Sequence, residues 1–351
     1  MAIDFPSPLL PPVTSATLPS HAATMSGNTT QVAAVELPPA ELERRLAPLQ
    51  VHDIRPLPGG ASSLTYTGRT ADGDQVVVKV APAGILPVLN RDVLRQARLL
   101  RALKPTAVPV PDVLWADPGD PPDIPPLFVM SFVDGSTLEP LYDLDGDDDA
   151  TTVAGRMRQA ARVMRQLHAL DPATIGLGDE PVVGPSEEVE RWCRLLETVD
   201  PAIAPGWDDV ATDLRAAVPR PLAAAVVHGD FRLGNMLAWG QSITAVIDWE
   251  IWTIGDPRVD LGWFLVNADP DTYRRPTPYA GSMPSPSELA AIYGDAPDLG
   301  WFRALACFKS TATWSLIVKH NRRRSDPDPG IEAVAADLPR LLDRARAELA
   351  G

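Results

Sequence analysis

One stretch of this 351-residue chain constrains its folding more than any other: Val226-Val-His-Gly-Asp-Phe-Arg-Leu-Gly-Asn-Met-Leu-Ala-Trp-Gly-Gln-Ser-Ile-Thr-Ala-Val-Ile-Asp-Trp-Glu250. Two short apolar runs, 236–239 and 243–247, flank Gly240-Gln241, a pattern that predicts a tight hairpin. Centred on that dipeptide, the hairpin pairs residues whose numbers sum to 481. Asn235 then faces Val246, and Asp248 lies two residues further along the same face. Opposed Cβ atoms in such a pair are about 5 Å apart and diagonal neighbours about 7–8 Å. The Asn235 amide and the Asp248 carboxylate are therefore expected to converge on one ion. That donor pair suits a hard cation such as Mg2+, with water and phosphate filling its other positions.

Around this stretch the chain changes character. Residues 1–38 are rich in Pro, Ser, Thr and Ala without a period, and read as a disordered or loosely packed tail, with Met25 an alternative start. A short helix is expected at 40–49, then strands at 51–57, 64–70, 75–81, 113–116 and 127–133, with one helix at 88–104 among them. Asp134-Gly135 closes this region, and an acidic loop follows at 143–149. Further on, Val153, Met157, Ala160, Met164 and Leu167 form a helical stripe, and helices are expected near 186–199, 258–267, 286–293, 299–322 and 331–349. The fold class is α+β. A lobe at 39–134 has a small antiparallel sheet with one helix, and a larger, mainly helical lobe at 135–351 encloses the β-like region 225–251.

Asp230 lies five residues before Asn235, in the loop ahead of the hairpin. A carboxylate beside a metal-held phosphate can orient an acceptor hydroxyl and take its proton. Singly, each of these residues is an ordinary turn or cap residue. The joint spacing His-Gly-Asp-x4-Asn-x12-Asp-Trp-Glu, with strands where the hairpin needs them, is far more specific. In the first lobe Lys79 stands within Gln75-Val-Val-Val-Lys-Val-Ala81, on the face of Val77 and Ala81. A cation among valines needs an anion nearby, and the chain has only four lysines (Lys79, Lys104, Lys309 and Lys319). Gly59-Gly60-Ala61-Ser62-Ser63, between two strands, offers backbone N–H groups and hydroxyls to a phosphate.

HGDFRLGN followed by VIDWEIWTIGDPRVDLGW resembles the aminoglycoside phosphotransferase-like kinases, relatives of choline kinases and protein kinases. The resemblance runs from about residue 51 to 320, and its wording is nearest to the branch associated with acyl-CoA dehydrogenases. It implies a bilobal protein-kinase-like fold, ATP and Mg2+ as cofactors, and phosphorylation of a hydroxyl on a small molecule. By it Asp230 is the catalytic carboxylate, Asn235 and Asp248 hold Mg2+, and His228 is structural. Asp256 and Asp260 start a helix and brace the loop; Asp256 before Pro257 also suits a helix N-cap on physics alone. On the nucleotide side it implies Lys79, Gly59, Gly60, Ser62 and Ser63 for the phosphates, and Met130, Ser131 and Phe132 for adenine.

The chain departs from the family pattern at Gln96, where a glutamate is expected to hold the lysine. Glutamine accepts a hydrogen bond but brings no charge, and Asp92, one turn earlier, is a candidate substitute. The alternative is therefore a catalytically weakened, nucleotide-binding regulatory module. The acceptor is aminoglycoside-like or hydroxyacyl-CoA-like; overall acidity favours a cationic one, and Glu250, Trp252 and Trp263 are candidate acceptor groups. A metal-dependent hydrolase fits less well, because His21, His52, His168 and His320 show no ligand spacing. His168 reads instead as a polar contact at a helix end.

Charge excludes another class. Against 31 Lys and Arg stand 46 Asp and Glu, a net −15 that argues against a nucleic-acid partner. Two cysteines, Cys193 and Cys307, exclude a disulfide framework. No apolar run reaches the ~20 residues of a membrane span. No Lys or Arg precedes Arg44, against a secretory leader, and the expectation is a cytoplasmic protein.

Overall fold

The computed structural model describes residues 37–57, 63–141, 143, 148–273 and 277–351. Gly59, Gly60 and Ser62, nearly all of the expected tail, and most of the acidic loop lie outside the described residues. The chain divides into two compact units. One holds the described residues up to Arg101 together with Pro111–Phe132; the other holds Ala102–Val110 and Val133–Gly351.

In the smaller unit the expected first helix ends early. Helix α1 (Pro39–Arg45) gives way to a 3-10 turn at Ala47–Leu49, where Pro48 offers no N–H to continue the helix. Strands β1 (His52–Pro56), β2 (Leu64–Arg69) and β3 (Gln75–Val80) form an antiparallel meander. Helix α2 (Val93–Leu103) is shorter than its apolar pattern, because Asp92 Oδ1 accepts the Arg95 N–H at 3.0 Å and sets the helix start. Strands β4 (Val113–Asp117) and β5 (Leu127–Ser131) complete a five-stranded antiparallel sheet in the order β1-β2-β3-β5-β4. Alternation along β3 decides its two faces. Val76, Val78 and Val80 pack with Leu42, Leu46, Ile54 and Tyr66, which leaves Val77 and Lys79 on the opposite face.

The larger unit is mainly helical: α3 (Ala150–His168), α4 (Pro185–Leu196), α5 (Trp207–Ala216), α6 (Arg258–Ala268), α7 (Pro270–Tyr273), α8 (Pro286–Tyr293), α9 (Leu299–Asn321), α10 (Pro329–Ala335) and α11 (Leu338–Ala350). The single helix expected at 331–349 is two, since Pro339 is tolerated only in a first turn and so opens α11. Helix α5 escapes a periodicity reading because only Val210, Ala211 and Leu214 are buried in a polar run. Its side chains join those of α4, α6, α9 and α11 in one apolar core. Helices α6 and α9 pack backbone to backbone: a Cβ on Gly262 would lie 2.4 Å from the Phe302 carbonyl oxygen.

Strands β6 (Val182–Val183), β7 (Ala225–Val227) and β10 (Thr253–Gly255) form a small sheet, too short to leave a period in the sequence. Between them lies the hairpin of β8 (Met236–Trp239) and β9 (Ser242–Val246). Its tip follows the expected register, with Trp239 opposite Ser242 and Ala238 opposite Ile243. A bulge then shifts the ladder, so that Leu237 pairs with Ala245 and Met236 with Val246. Asn235 therefore meets Ile247 rather than Val246, with the Ile247 N–H donating to the Asn235 carbonyl at 2.9 Å. The extra residue, Thr244, uses its hydroxyl to bond the Asp134 carbonyl at 3.0 Å.

Candidate active site

The loop between β7 and β8 carries the site of the larger unit. It is built around Asp230, buried at 5% exposure. Asn235 spends its amide N–H groups on this residue, donating to the Asp230 carbonyl oxygen at 2.9 Å and to Oδ2 at 2.7 Å. The coordinating atom that remains to Asn235 is its carbonyl oxygen, a hard-cation ligand. Because Ile247 bonds Asn235 backbone to backbone, Asp248 follows within one residue of it. Asp248 has φ +63°, a left-handed conformation that a short polar side chain tolerates at a cost of about 1–2 kcal/mol. The His228 ring ties the two arms together, with Nε2 2.9 Å from the Ile247 carbonyl oxygen. The backbone register that brings Asp248 beside Asn235 thus differs by one residue from the one the hairpin arithmetic gave.

Two further groups grip the Asp230 carboxylate. Trp263 Nε1 donates to Oδ1 at 2.8 Å, and Arg232 Nε is shared between both oxygens at 3.2 Å. Arg232 Nη1 also donates to buried Glu139 at 2.8 Å. Burial pushes the Asp230 carboxyl up, but Arg232, Lys309, His228 and Asn235 outweigh it and hold the group below the usual carboxylate range. It stays ionised at neutral pH. Glu139 is shifted the other way, because burial there exceeds the pull of Arg232. The shared Arg232 bond is the longest of these three to the Asp230 carboxylate, and so the weakest.

Asp260, fully buried on α6, braces the loop from below. It accepts the His228 N–H at 2.6 Å, the Gly229 N–H at 2.8 Å and His168 Nε2 at 3.2 Å. His168 Nδ1 in turn meets the Tyr293 hydroxyl at 2.9 Å, a polar contact at a helix end. Gly229 is required here: its φ is +85°, and a Cβ would lie 2.7 Å from the Ile251 carbonyl oxygen. Asp256 accepts the Arg258 N–H at 3.0 Å, doing the work of a cap one residue ahead of Pro257.

In the smaller unit, Lys79 Nζ donates to Gln96 Oε1 at 3.2 Å, joining β3 to α2. Asp92 is committed to the start of α2. Met130 and Ser131 end β5, Ser131 bonded to Asp112, and Phe132 is exposed just beyond, its N–H donating to the Gln75 carbonyl at 3.2 Å. Ser63 is buried, and among the described residues its hydroxyl has no hydrogen-bond partner. Of the candidate acceptor groups, Glu250 and Trp252 are buried and the Trp263 indole is committed to Asp230. The sequence reading missed Arg232, Glu139 and Lys309. Arg232 was visible inside HGDFRLGN, whereas Glu139 and Lys309 lie about 90 and 80 residues from the loop and nothing local marks them.

Among the described residues no three His, Cys, Asp or Glu side chains gather as a metal cage. The donor pair Asn235 and Asp248 fits the sparser mode in which Mg2+ takes few protein oxygens and completes its shell with phosphate and water. No helix of the described residues is long and apolar enough to cross a membrane.

A sheet-rich unit, a helical unit, and a loop with a buried aspartate followed by an amide and a second carboxylate together define a kinase-like phosphotransferase. The chain belongs to the phosphotransferase enzyme family, whose model matches residues 53–306. Membership of that family makes it a phosphotransferase by class. Among curated proteins it is similar to acyl-CoA dehydrogenase family member 10 of Mus musculus, 27% identical over 213 residues, 58% of this chain and 19% of that protein. It also resembles family member 11 of Gallus gallus, 26% identical over 282 residues, 73% of this chain and 35% of that one. The chain therefore spans between one fifth and about one third of the length of these relatives.

Solved structures agree in fold. A Ralstonia eutropha protein assigned to the aminoglycoside phosphotransferases aligns with a TM-score of 0.70 at 20% identity, covering 88% of this chain and 97% of that one. Macrolide 2'-phosphotransferase of Brachybacterium faecium gives 0.54 at 22%, with 85% and 96% covered. An aminoglycoside phosphotransferase of Streptomyces rimosus, solved with ADP and streptomycin, gives 0.53 at 22%, with 79% and 97% covered.

Proposed function

We propose that the protein is an ATP- and Mg2+-dependent kinase of a small hydroxylated molecule, acting in the cytoplasm. The observation that carries this reading is the Asp230–Asn235 pair. The amide of Asn235 is anchored on the carboxylate that would serve as base, and its carbonyl oxygen is the ligand left for a cation. Asn235 and Asp248 would hold Mg2+. The ion, when bound, neutralises charge on the transferring phosphoryl group. Lys79 would contact the nucleotide phosphates, kept in place by Gln96; Gly59, Gly60, Ser62 and Ser63 would line them, and Met130 and Phe132 would contact adenine.

Asp230 would orient the acceptor hydroxyl and take its proton, the shared Arg232 bond giving way as the hydroxyl arrives. Phosphoryl transfer asks little covalent chemistry of a protein, so positioning and charge account for most of the catalysis. The regulatory-module alternative rests on Gln96 alone, and Gln96 holds Lys79 by a direct hydrogen bond.

For the acceptor, the similarity to two acyl-CoA dehydrogenase family members favours a hydroxyacyl thioester over an antibiotic. The test is acceptor-stimulated ADP release from Mg·ATP across hydroxyacyl-CoA compounds, other hydroxylated metabolites, aminoglycosides and macrolides. Stimulation by a hydroxyacyl thioester supports the reading. Stimulation by antibiotics alone would overturn the acceptor assignment, and the absence of any ADP release would overturn the kinase itself.

A further inference from the structure

The most unusual group in the larger unit is Lys309, in the middle of α9 and only 5% exposed. A buried ammonium is costly unless paired. Its Nζ donates to the carbonyl oxygen of Gly229, the residue before Asp230. The same atom lies 3.8 Å from the centre of the Trp263 ring and 5.4 Å from that of Trp192, within cation–π range. Trp263 in turn donates to Asp230 Oδ1 at 2.8 Å. One cation thus bears on two supports of Asp230, the backbone leading into it and the ring bonded to its side chain. An apolar side chain would fill this place at a lower desolvation cost, so packing alone does not account for a lysine here.

Resting on the phosphotransferase reading above, we propose that Lys309 is a positioning residue: its ammonium clamps Gly229 and Trp263 so that the Asp230 carboxylate is held in place for proton transfer. The charged groups facing it are Asp230 from the loop, Glu188 and Arg191 from α4, and Asp260 from α6. Burial pushes the amine down to about 8, while Asp230, Glu188 and Asp260 pull it back up and Arg191 pushes it further down. The clamp therefore loses its charge as pH rises through about 8. Turnover should fall on an alkaline limb there, without a matching loss of nucleotide binding.

The test uses the full chain and Mg·ATP with water as acceptor, reading ADP release against pH, and thermal shift with Mg·AMP-PNP as the binding readout. Lys309→Met should lower kcat roughly 10- to 100-fold while KM for ATP and the nucleotide-induced shift stay as in wild type. Lys309→Arg, whose charge persists, should recover most of kcat and move the alkaline limb above pH ~9. Trp263→Phe keeps the ring face but removes the N–H, and should lower kcat with KM unchanged.

Wild-type kcat in Lys309→Met overturns the proposal. So does an alkaline limb that stays near 8 in Lys309→Arg, or a parallel loss of kcat and nucleotide binding in both folded variants, the mark of a merely structural lysine. If Lys309→Met does not fold, Lys309→Arg and Trp263→Phe decide. ADP release absent from wild type with water and with every acceptor of the panel above sinks the underlying kinase reading, whereas release that depends on Asp230 but not on Lys309 sinks this inference alone.

Discussion

Lys79 and Gln96 meet at 3.2 Å, so the tie between the ammonium on β3 and helix α2 is made to a neutral amide oxygen. The ammonium already makes this bond charge-assisted, and a carboxylate in place of the amide would add the attraction of a full opposite charge. Gln96→Glu should therefore raise kcat/KM for ATP, by roughly 2- to 5-fold for about 0.5–1 kcal/mol of better anchoring. Steady-state ADP release measured against ATP concentration checks this. An unchanged or lower value shows that the anchor does not limit turnover.

Asp230 is expected to behave as a base and not as a nucleotide contact. Asp230→Ala should cut phosphoryl transfer by about 100- to 10,000-fold. Nucleotide-induced thermal stabilisation should remain close to wild type. A variant with near-normal transfer would remove Asp230 from the role assigned to it.

Metal dependence should map onto Asp248 and Asn235. Replacing Asp248 by Asn exchanges a carboxylate for a neutral ligand, so the Mg2+ concentration for half-maximal ADP release should rise about 10-fold or more, and EDTA should stop the wild-type reaction. If Asp248→Asn titrates with Mg2+ as the wild type does, the ion is held elsewhere.

Asp260 should be worth more to stability than any other brace of the loop. Its removal leaves the His228 and Gly229 N–H groups buried without their acceptor, and Asp260→Ala should cost about 3 kcal/mol. Burial pushes this carboxyl up, but the bond from His168 and the charges around it win, so its folded value lies below the ordinary 3.8. A carboxyl lowered by folding stabilises the fold above its unfolded pKa and loses that contribution as pH falls toward its folded one. The gap between wild type and Asp260→Ala in thermal melts should be full at neutral pH and should narrow below about pH 4. A gap that stays constant down to pH 2 contradicts the assignment.

The sequence by itself determined which chemistry is on offer. His228, Asp230, Asn235 and Asp248 all lie on one loop and the hairpin that follows it, and such local placement is read from spacing. The five strands around Lys79 were likewise legible, because alternation along β3 separates Val76, Val78 and Val80 from Val77 and Lys79. Elements of two or three residues, such as β6 and β10, were not, since they are too short to carry a period.

Only the tertiary structure decided how the site is held. The bulge at Thr244 set Asn235 against Ile247, a shift of one residue that the apolar pattern tolerates equally well on paper. Glu139, Asp260, Trp263 and Lys309 reach the loop from distant helices and segments, and they fix the charge and orientation of Asp230. Contacts between residues so far apart along the chain come from packing helices into one core, which no local pattern encodes.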